Sequence, residues 1–339
     1  MNITAKTSKM IMVVFVILGF NYGVSFQQFL HFDWADQRGL GDSLSYLAMS
    51  NGDSDIASIH RYRIIIPFLA DLVRDVIRPL VSSDQLHAID ALSFYIVNYL
   101  ITSLAGLFLY LFLIELKFKP ERSLMGVLIF LGSRITILST GAPMVDSLYY
   151  LAIIIIVYFC LTQRSMLLCL LTPLLILTKE TTVPFLFLPL LLKTINRKFI
   201  LLSLSLSFVI LFWVRSLVTA ALPNVVKSED SILVTITSHL ASGLENLSRS
   251  YFSLAGWHDL FSPFSAFWVI ALFGAWLEFK KIDTYYEIPR FLFWIIPITF
   301  GYTVLSSNAG RMLHSLFPLV IPYALIAIDY IMSRKQLKD

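Results

Sequence analysis

The sequence predicts an all-α fold, a polytopic bundle of transmembrane helices, on three observations. Of its 339 residues, 57% are hydrophobic and only 14% are charged, and the mean hydropathy is +0.77. Soluble domains carry about 25% charged residues. Apolar runs of the length that a helix needs to cross a bilayer, about 20 residues, recur along the chain. These observations exclude soluble, DNA-binding, collagen-like and disordered classes.

About ten spans are expected within a single transmembrane domain, residues 1–339. They lie at about residues 10–30, 90–114, 123–140, 145–162, 165–178, 181–193, 199–221, 264–280, 290–306 and 312–332. The fifth and sixth spans are short and meet at Lys179 and Glu180. A break between spans is placed at these two residues because a charged side chain costs about 2.5 to 3.5 kcal/mol in hydrocarbon. The first is interpreted as a retained anchor, since no small-x-small cleavage site follows it.

The distribution of Lys and Arg predicts that both termini are cytoplasmic. With this orientation, every inside loop carries at least one basic residue, and 15 of the 26 Lys and Arg lie inside. Residues 31–89 then form a long first extracytoplasmic loop, and residues 222–263 form another. The acids crowd the outer face, 15 of 22. Because acids orient membrane proteins poorly, this crowding indicates function rather than topology.

An amphipathic helix is predicted inside the first outer loop, at residues 64–81. Asp71, Arg74, Asp75 and Arg78 recur at i, i+3, i+4 and i+7 on an otherwise apolar segment. Such a helix lies in the membrane interface and does not cross it. The alternative for the four charges is a solvated face with local ion pairs.

The candidate site residues lie in the outer loops or at the outer ends of spans, and each has a structural alternative. Asp42 and Asp146 stand where an acid caps a helix. Arg61, Arg63 and Arg311 can serve as headgroup anchors. Lys179 beside Glu180, at the deepest point of a helical hairpin, is a stronger functional indication than a loop charge. In the loop at residues 222–263, His239, Glu245, Arg249, His258 and Asp259 lack metal-ligand spacing.

Carboxylates and cations close to the hydrocarbon boundary suit a lipid-linked phosphate substrate. An enzyme that moves a sugar from a polyprenyl phosphate needs a carboxylate to deprotonate the acceptor hydroxyl. It also needs cations that stabilise the departing phosphate. A guanidinium fork suits phosphate well. The donor-phosphate candidates are Arg61, Arg63, Lys179 and Arg311, with Glu180 and Asp146 as supporting acids.

These motifs resemble the GT-C superfamily of polytopic glycosyltransferases. Its members carry a catalytic Asp in a long first outer loop, ahead of interfacial helices. The matching pieces here are Gly41-Asp42-Ser43-Leu44-Ser45-Tyr46, the run from His60 to Pro67, Thr178-Lys179-Glu180-Thr181, and Gly310-Arg311 with Pro318 downstream. The resemblance spans most of the chain and implies a GT-C-like fold. It implies that Asp42 is the general base of an inverting transfer to a glycan, lipid or envelope polysaccharide.

The resemblance leaves the cofactor open. Asp146 matches the place where some members hold a metal-binding acid, so a divalent cation, Mg²⁺ or Mn²⁺, is one alternative. No Asp-x-Asp sequence stands there, so a reaction without a cofactor is the other. The chain also lacks a Trp-Trp-Asp motif and a large soluble C-terminal domain. Transfer to a protein sequon, as in the oligosaccharyltransferase branch, is therefore not expected.

The remaining expectations concern location, partners and rival functions. The partners are a polyprenyl-phosphate-linked sugar, its acceptor and membrane lipids, with no nucleic acid. The chain is placed in a bacterial inner membrane with its active site outside. The main rival is a transporter or flippase, in which the charged outer mouth forms a gate. A polymerase of lipid-linked glycans would keep the outer arginines without needing Asp42.

Overall fold

The structure, a computed structural model, describes residues 3–32, 40–53, 56, 60–80, 86–220, 241, 243–245, 248, 252–282, 286–306 and 308–336. Its helices are α1 (Ile3–His31), α2 (Gly41–Ser50), α3 (Ile65–Ile77), α4 (Leu86–Glu115), α5 (Pro120–Leu131), α6 (Arg134–Gly141), α7 (Asp146–Leu161), α8 (Ser165–Leu175), α9 (Arg197–Ala220), α10 (Leu254–Phe261), α11 (Phe267–Lys280), α12 (Ile295–Leu305), α13 (Ala309–Leu313) and α14 (Phe317–Gln336). Among the described residues, four 3-10 helices join them: Arg78–Leu80, Glu180–Leu191, Arg290–Trp294 and His314–Leu316. No strand occurs within these ranges, so the all-α prediction is confirmed.

Within the part of the chain that the structure describes, four segments are long and apolar enough to cross a membrane: Thr7–His31, Ala88–Glu115, Arg197–Val218 and Ala309–Arg334. Helices α5 and α6 pass the same test together as a bent pair, which raises the number to five. Shorter apolar helices occupy other predicted spans, at Asp146–Leu161, Ser165–Leu175, Glu180–Leu191 and Arg290–Val304. The structure thus gives four or five span-length segments, and a total of about ten stays a prediction.

Local sequence explains several helix ends. Pro120 stands in the first turn of α5, where its missing N–H is not needed. Ser253 caps α10, its hydroxyl accepting a hydrogen bond from the Gly256 N–H at 3.0 Å. After α2 the chain turns at Gly52, whose φ of +79° is rarely adopted by other residues. Pro184 and Pro189 each disfavour an α-helix interior, and the segment from Glu180 forms a 3-10 helix.

The chain divides into two compact units, the first comprising Met1–Ala105 and Thr136–Thr235. In this unit α7 is buried on all sides from Tyr149 to Cys160 and packs against α8 and the 3-10 helix that begins at Glu180. Helices α2, α3, α4 and the residue before α7 share one apolar cluster, formed by Tyr46, Ile66, Ala70, Phe94, Val97 and Val145. This cluster holds α2 beside the N-terminus of α7.

The second unit comprises Gly106–Ile135 and Ile236–Asp339. Helices α11 and α14 approach so closely that a Cβ atom at Gly274 would lie 1.9 Å from the Tyr323 carbonyl oxygen. The His314 ring is fully buried and stacks on Phe130 and Phe264, with centroids 5.6 and 5.1 Å apart. Packing in this unit thus depends on apolar and small side chains.

Helix α3 is the amphipathic helix predicted at residues 64–81. Arg74 pairs with Asp71 and lies 3.9 Å from Asp75 and 3.8 Å from Asp90. The charged stripe therefore forms local ion pairs, as expected if these residues are a solvated helix face. Phe68, Leu72 and Val76 are 60%, 48% and 73% exposed, and they recur every four residues. The helix therefore presents a separate apolar stripe beside its charges. Parts of the two predicted outer loops, including His239 and Arg249, lie outside the described residues.

Candidate active site

Asp42 lies in the first turn of α2, one residue after the helix begins. The capping position is taken by Leu40, so Asp42 does not occupy the capping position that its sequence context also allowed. Its carboxylate is about one-third exposed, and Oδ1 lies 3.8 Å from Nε2 of His60, whose side chain is only 12% exposed. The acid that the sequence favours as general base is therefore accessible, with an imidazole beside it.

Tyr46, one turn after Asp42, connects α2 to Arg63 in the segment before α3. Its ring is fully buried and lies 5.0 Å from the His60 ring, and its hydroxyl accepts a hydrogen bond from Nη1 of Arg63 at 2.7 Å. Burial raises the pKa of the Tyr46 phenol well above its usual value, against the opposing charge of Arg63. The charges of Asp146 and Asp42 raise it further, so both acids lie close enough to act on this phenol.

Arg63 and Glu180 join the segment between α2 and α3 to the start of the 3-10 helix Glu180–Leu191. The guanidinium donates through Nε to one carboxylate oxygen at 3.2 Å and through Nη2 to the other. Such fork-on-carboxylate pairing fixes both side chains. Burial raises the pKa of the Glu180 carboxyl, but the charge and hydrogen bonds of Arg63 outweigh it and hold that pKa below its usual value. Glu180 therefore stays ionised at neutral pH.

Lys179 and Asp146 form a second pair, deep inside the unit. Nζ donates to Oδ1 at 2.8 Å, and the two side chains are only 4% and 1% exposed. Val145 is the N-cap residue of α7, so Asp146 is the first helical residue, with Lys179 as its partner. The Lys179 ammonium also lies 5.4 Å from the centre of the Tyr149 ring. Two buried charges stand side by side here, with neither left uncompensated.

Polar side chains fix the two loops that carry this pair. The Asn98 amide donates to the carbonyls of Ala142 and Met144, at 3.1 and 3.0 Å, just ahead of Asp146. The hydroxyls of Thr178 and Thr182 are 2.7 Å apart, and the Thr182 N–H donates to the Lys179 carbonyl at 2.9 Å. These bonds hold each of the two segments in place, and the Lys179–Asp146 hydrogen bond joins the turn to the N-terminus of α7.

Arg61 and Arg311 are placed differently from the other predicted phosphate-binding residues. The Arg61 side chain is buried and donates through Nε and Nη2 to the Ile56 carbonyl, at 3.1 and 2.9 Å. Arg311 belongs to the second unit, on α13, where the Asn308 side chain caps its backbone N–H at 3.1 Å. The structure thus brings together Asp42, Arg63, Lys179, Glu180 and Asp146, while the phosphate role of all the cations stays a prediction.

The described residues fit a metal ion poorly. They contain no group of three or more His, Cys, Asp and Glu side chains that could hold one. The candidate ligand Asp146 already accepts a hydrogen bond from the Lys179 ammonium, and a cation at that oxygen would repel a second one. We therefore assign no catalytic step to Mg²⁺ or Mn²⁺.

Sequence reasoning missed two residues of this cluster, His60 and Tyr46. Both belong to quoted motifs, but neither type of side chain is unusual in a loop or a short helix. The spacing of Asp42 and Tyr46, i and i+4, is the one signal that places them on a common helix face. Nothing local connects either residue to His60, which α2 meets only in the folded chain.

Comparison with known proteins adds no relative. No family model matches the chain, and no curated protein or solved structure is detectably similar to it.

Proposed function

We propose that this chain is a membrane glycosyltransferase that moves a sugar from a polyprenyl-phosphate-linked donor to an extracytoplasmic glycan, lipid or envelope polysaccharide. One observation carries the proposal: a partly exposed carboxylate, Asp42, at the edge of a buried network of cations and acids. A charged network is expensive to bury, and such networks concentrate at functional sites. The membrane-like helices supply the setting that a lipid-linked donor requires.

In the proposed reaction Asp42 is the general base of an inverting transfer. The carboxylate takes the proton of the acceptor hydroxyl, whose oxygen forms a bond to the anomeric carbon. The bond from that carbon to the phosphate oxygen breaks, and its electron pair leaves with the polyprenyl phosphate. Because the oxygen attacks the face opposite the leaving group, the anomeric configuration inverts.

In the first unit, the donor phosphate would contact Arg61, Arg63 and Lys179. Arg63 and Lys179 are each already paired with an acid, so their pairs deliver less net positive charge than free cations. Arg63 uses three of its five N–H donors on Glu180 and Tyr46, which leaves two for a phosphate oxygen. Glu180 and Asp146 then act as supporting acids that orient these cations.

The proposal extends to topology. The shorter apolar helices would complete about ten spans in a GT-C-like arrangement, with both termini in the cytoplasm of a bacterium and the site on the outer face of its inner membrane. The exposed apolar stripe of α3 would lie on that outer surface. This position brings the first outer loop to the depth of lipid headgroups, where a prenyl-linked phosphate resides.

The test is transfer by the purified full-length chain with a panel of polyprenyl-phosphate-linked hexoses and pentoses. Asp42→Asn should lower transfer by about 10² to 10⁴-fold while donor binding persists, because only the base is lost. Asp71→Asn, in the α3 ion pair, is the matched control and should transfer normally. Unchanged transfer by the Asp42 variant would remove the base from the proposal.

A transporter or flippase is the second candidate, and the buried Lys179–Asp146 pair favours it. Paired charges at membrane depth mark substrate pathways in transporters. If a transfer-dead Asp42→Asn protein still moves a lipid-linked sugar across proteoliposome membranes, transport replaces transfer as the leading function. A glycan polymerase would be indicated by chain growth that survives the same substitution.

A further inference from the structure

His60 lies beside the proposed catalytic base Asp42, and the reaction as proposed gives it no role. Its side chain is 12% exposed, and Nε2 lies 3.8 Å from the Asp42 carboxylate. On its other side, the imidazole ring lies 5.0 Å from the Tyr46 ring, tilted by 43°. A mostly buried imidazole beside a more exposed carboxylate is held by packing in a fixed position relative to that acid.

We propose that His60 is a positioning residue that acts through Asp42: the two form a coupled pair, and the protonation of His60 decides whether Asp42 can serve as a base. This inference rests on the proposed function for its effect on transfer, but the pair itself can be tested without it. Histidine changes charge between about pH 5 and 8, which no carboxylate does without a large perturbation.

The chemistry of the pair follows from charge. When His60 is protonated, its imidazolium attracts the Asp42 carboxylate at 3.8 Å and stabilises the ionised acid, which makes that acid a weaker base. When His60 is neutral, this attraction is absent and the carboxylate accepts the acceptor proton more readily. Transfer should therefore fall as the pH drops through the range where His60 gains its proton.

Other charged and titratable groups lie near the pair. From α2 come Asp42 and Tyr46, and along its own segment Arg63 reaches the Tyr46 hydroxyl, with Arg61 next in the chain. The Arg63 charge is balanced by Glu180, and the Tyr46 phenol is neutral at physiological pH. Within the part of the chain that the structure describes, Asp42 is a charged group that faces the imidazole at 3.8 Å.

The first experiment compares pH profiles of kcat for the wild-type chain and His60→Gln. Glutamine carries no titrating charge, so the acid limb between about pH 5 and 8 should disappear, while kcat at pH 8 stays within about tenfold of wild type. His60→Phe, which keeps a ring against Tyr46 but cannot protonate, should lose the same limb. His31→Gln, on α1, is the matched control and should keep it. An acid limb that persists in both His60 variants overturns the inference.

The second experiment needs no transfer activity. The titration of the His60 imidazole is followed by NMR in histidine-labelled full-length protein, with His60→Gln used for assignment. In Asp42→Asn the titration midpoint should fall by about one pH unit, because the carboxylate that favours the imidazolium is gone. An unchanged midpoint overturns the pair, whatever the chain transfers. If the midpoint falls but no donor is used, the pair stands and the proposed transferase fails.

Discussion

Among the described residues, the first unit buries four charged side chains, Arg61, Arg63, Asp146 and Lys179, whereas the second buries none. The second unit keeps its charged pairs at partly exposed positions, as with Arg122 and Asp329, each 22% exposed. Its buried polar groups are hydroxyls and His314.

The difference shows what each unit needs to fold. The second unit packs through close helix contact at Gly274 and through aromatic rings around His314, and neither requires charge. The first unit could form its apolar cluster around Tyr46 and Phe94 in the same way. Buried ion pairs contribute little net stability compared with apolar residues of similar size. The charges of the first unit are therefore better explained by a site than by the fold.

The largest effect should come from removing one partner of the buried Lys179–Asp146 pair, which tests whether the two units differ in their dependence on charge. Lys179→Met leaves the Asp146 carboxylate buried without its cation and should lower the free energy of unfolding by about 3 to 5 kcal/mol. Denaturant titration of the purified chain in detergent measures the loss. Arg122→Gln is the matched change in the second unit and should cost about 1 kcal/mol or less. Equal losses would show that the two units do not differ in their dependence on charge.

The double variant Lys179→Met with Asp146→Leu sharpens the same point. It removes both charges from the site and should recover most of the stability, because no uncompensated charge remains. Transfer should not recover with it. If stability stays as low as in Lys179→Met alone, the pair is part of the fold and its functional explanation weakens.

A smaller loss should follow from crowding the helix contact of the second unit. Gly274→Ala places a methyl group 1.9 Å from the Tyr323 carbonyl oxygen, so α11 and α14 must separate, at about 1 to 3 kcal/mol. The thermal unfolding midpoint measures the effect. Gly301→Ala on α12 is the control, since its Cβ would meet no atom within 4 Å. A tolerated Gly274→Ala would contradict the close approach.

The smallest expected effect is the loss of folding stability at acidic pH that comes from Glu180 in the first unit. The pKa of Glu180 is lowered in the folded chain, so its contribution is complete above the unfolded carboxyl pKa of about 4.3 and is lost as the pH falls below that value. The Glu180 contribution to the unfolding midpoint should stay level from pH 8 to 5 and then decline. The decline should be shallower in the Glu180→Gln variant than in the wild-type chain. An equal decline in the two proteins would show that other carboxyl groups cause it.

Much of the architecture was predictable because it depends on local pattern. Long apolar runs predicted the span-length helices, and the charge spacing around Arg74 predicted α3. The structure decided two points that the sequence left open. Asp146 is the first residue of α7 and pairs with Lys179, and Arg63 pairs with Glu180. Neither pairing could be read from the sequence, because Arg63 and Glu180 are 117 residues apart.

The sequence by itself determined the helical class, the membrane-like segments and the residue types that gather at their ends, because hydrophobicity and helix periodicity act over neighbouring residues. Only the tertiary structure decided which acid faces which cation. Asp42 meets His60, Glu180 meets Arg63 and Asp146 meets Lys179 because packing against α7 and the Tyr46 cluster brings α2 and two turns together. Electrostatic partners depend on distances of a few ångströms, and those are set by the whole packed unit rather than by any stretch of chain.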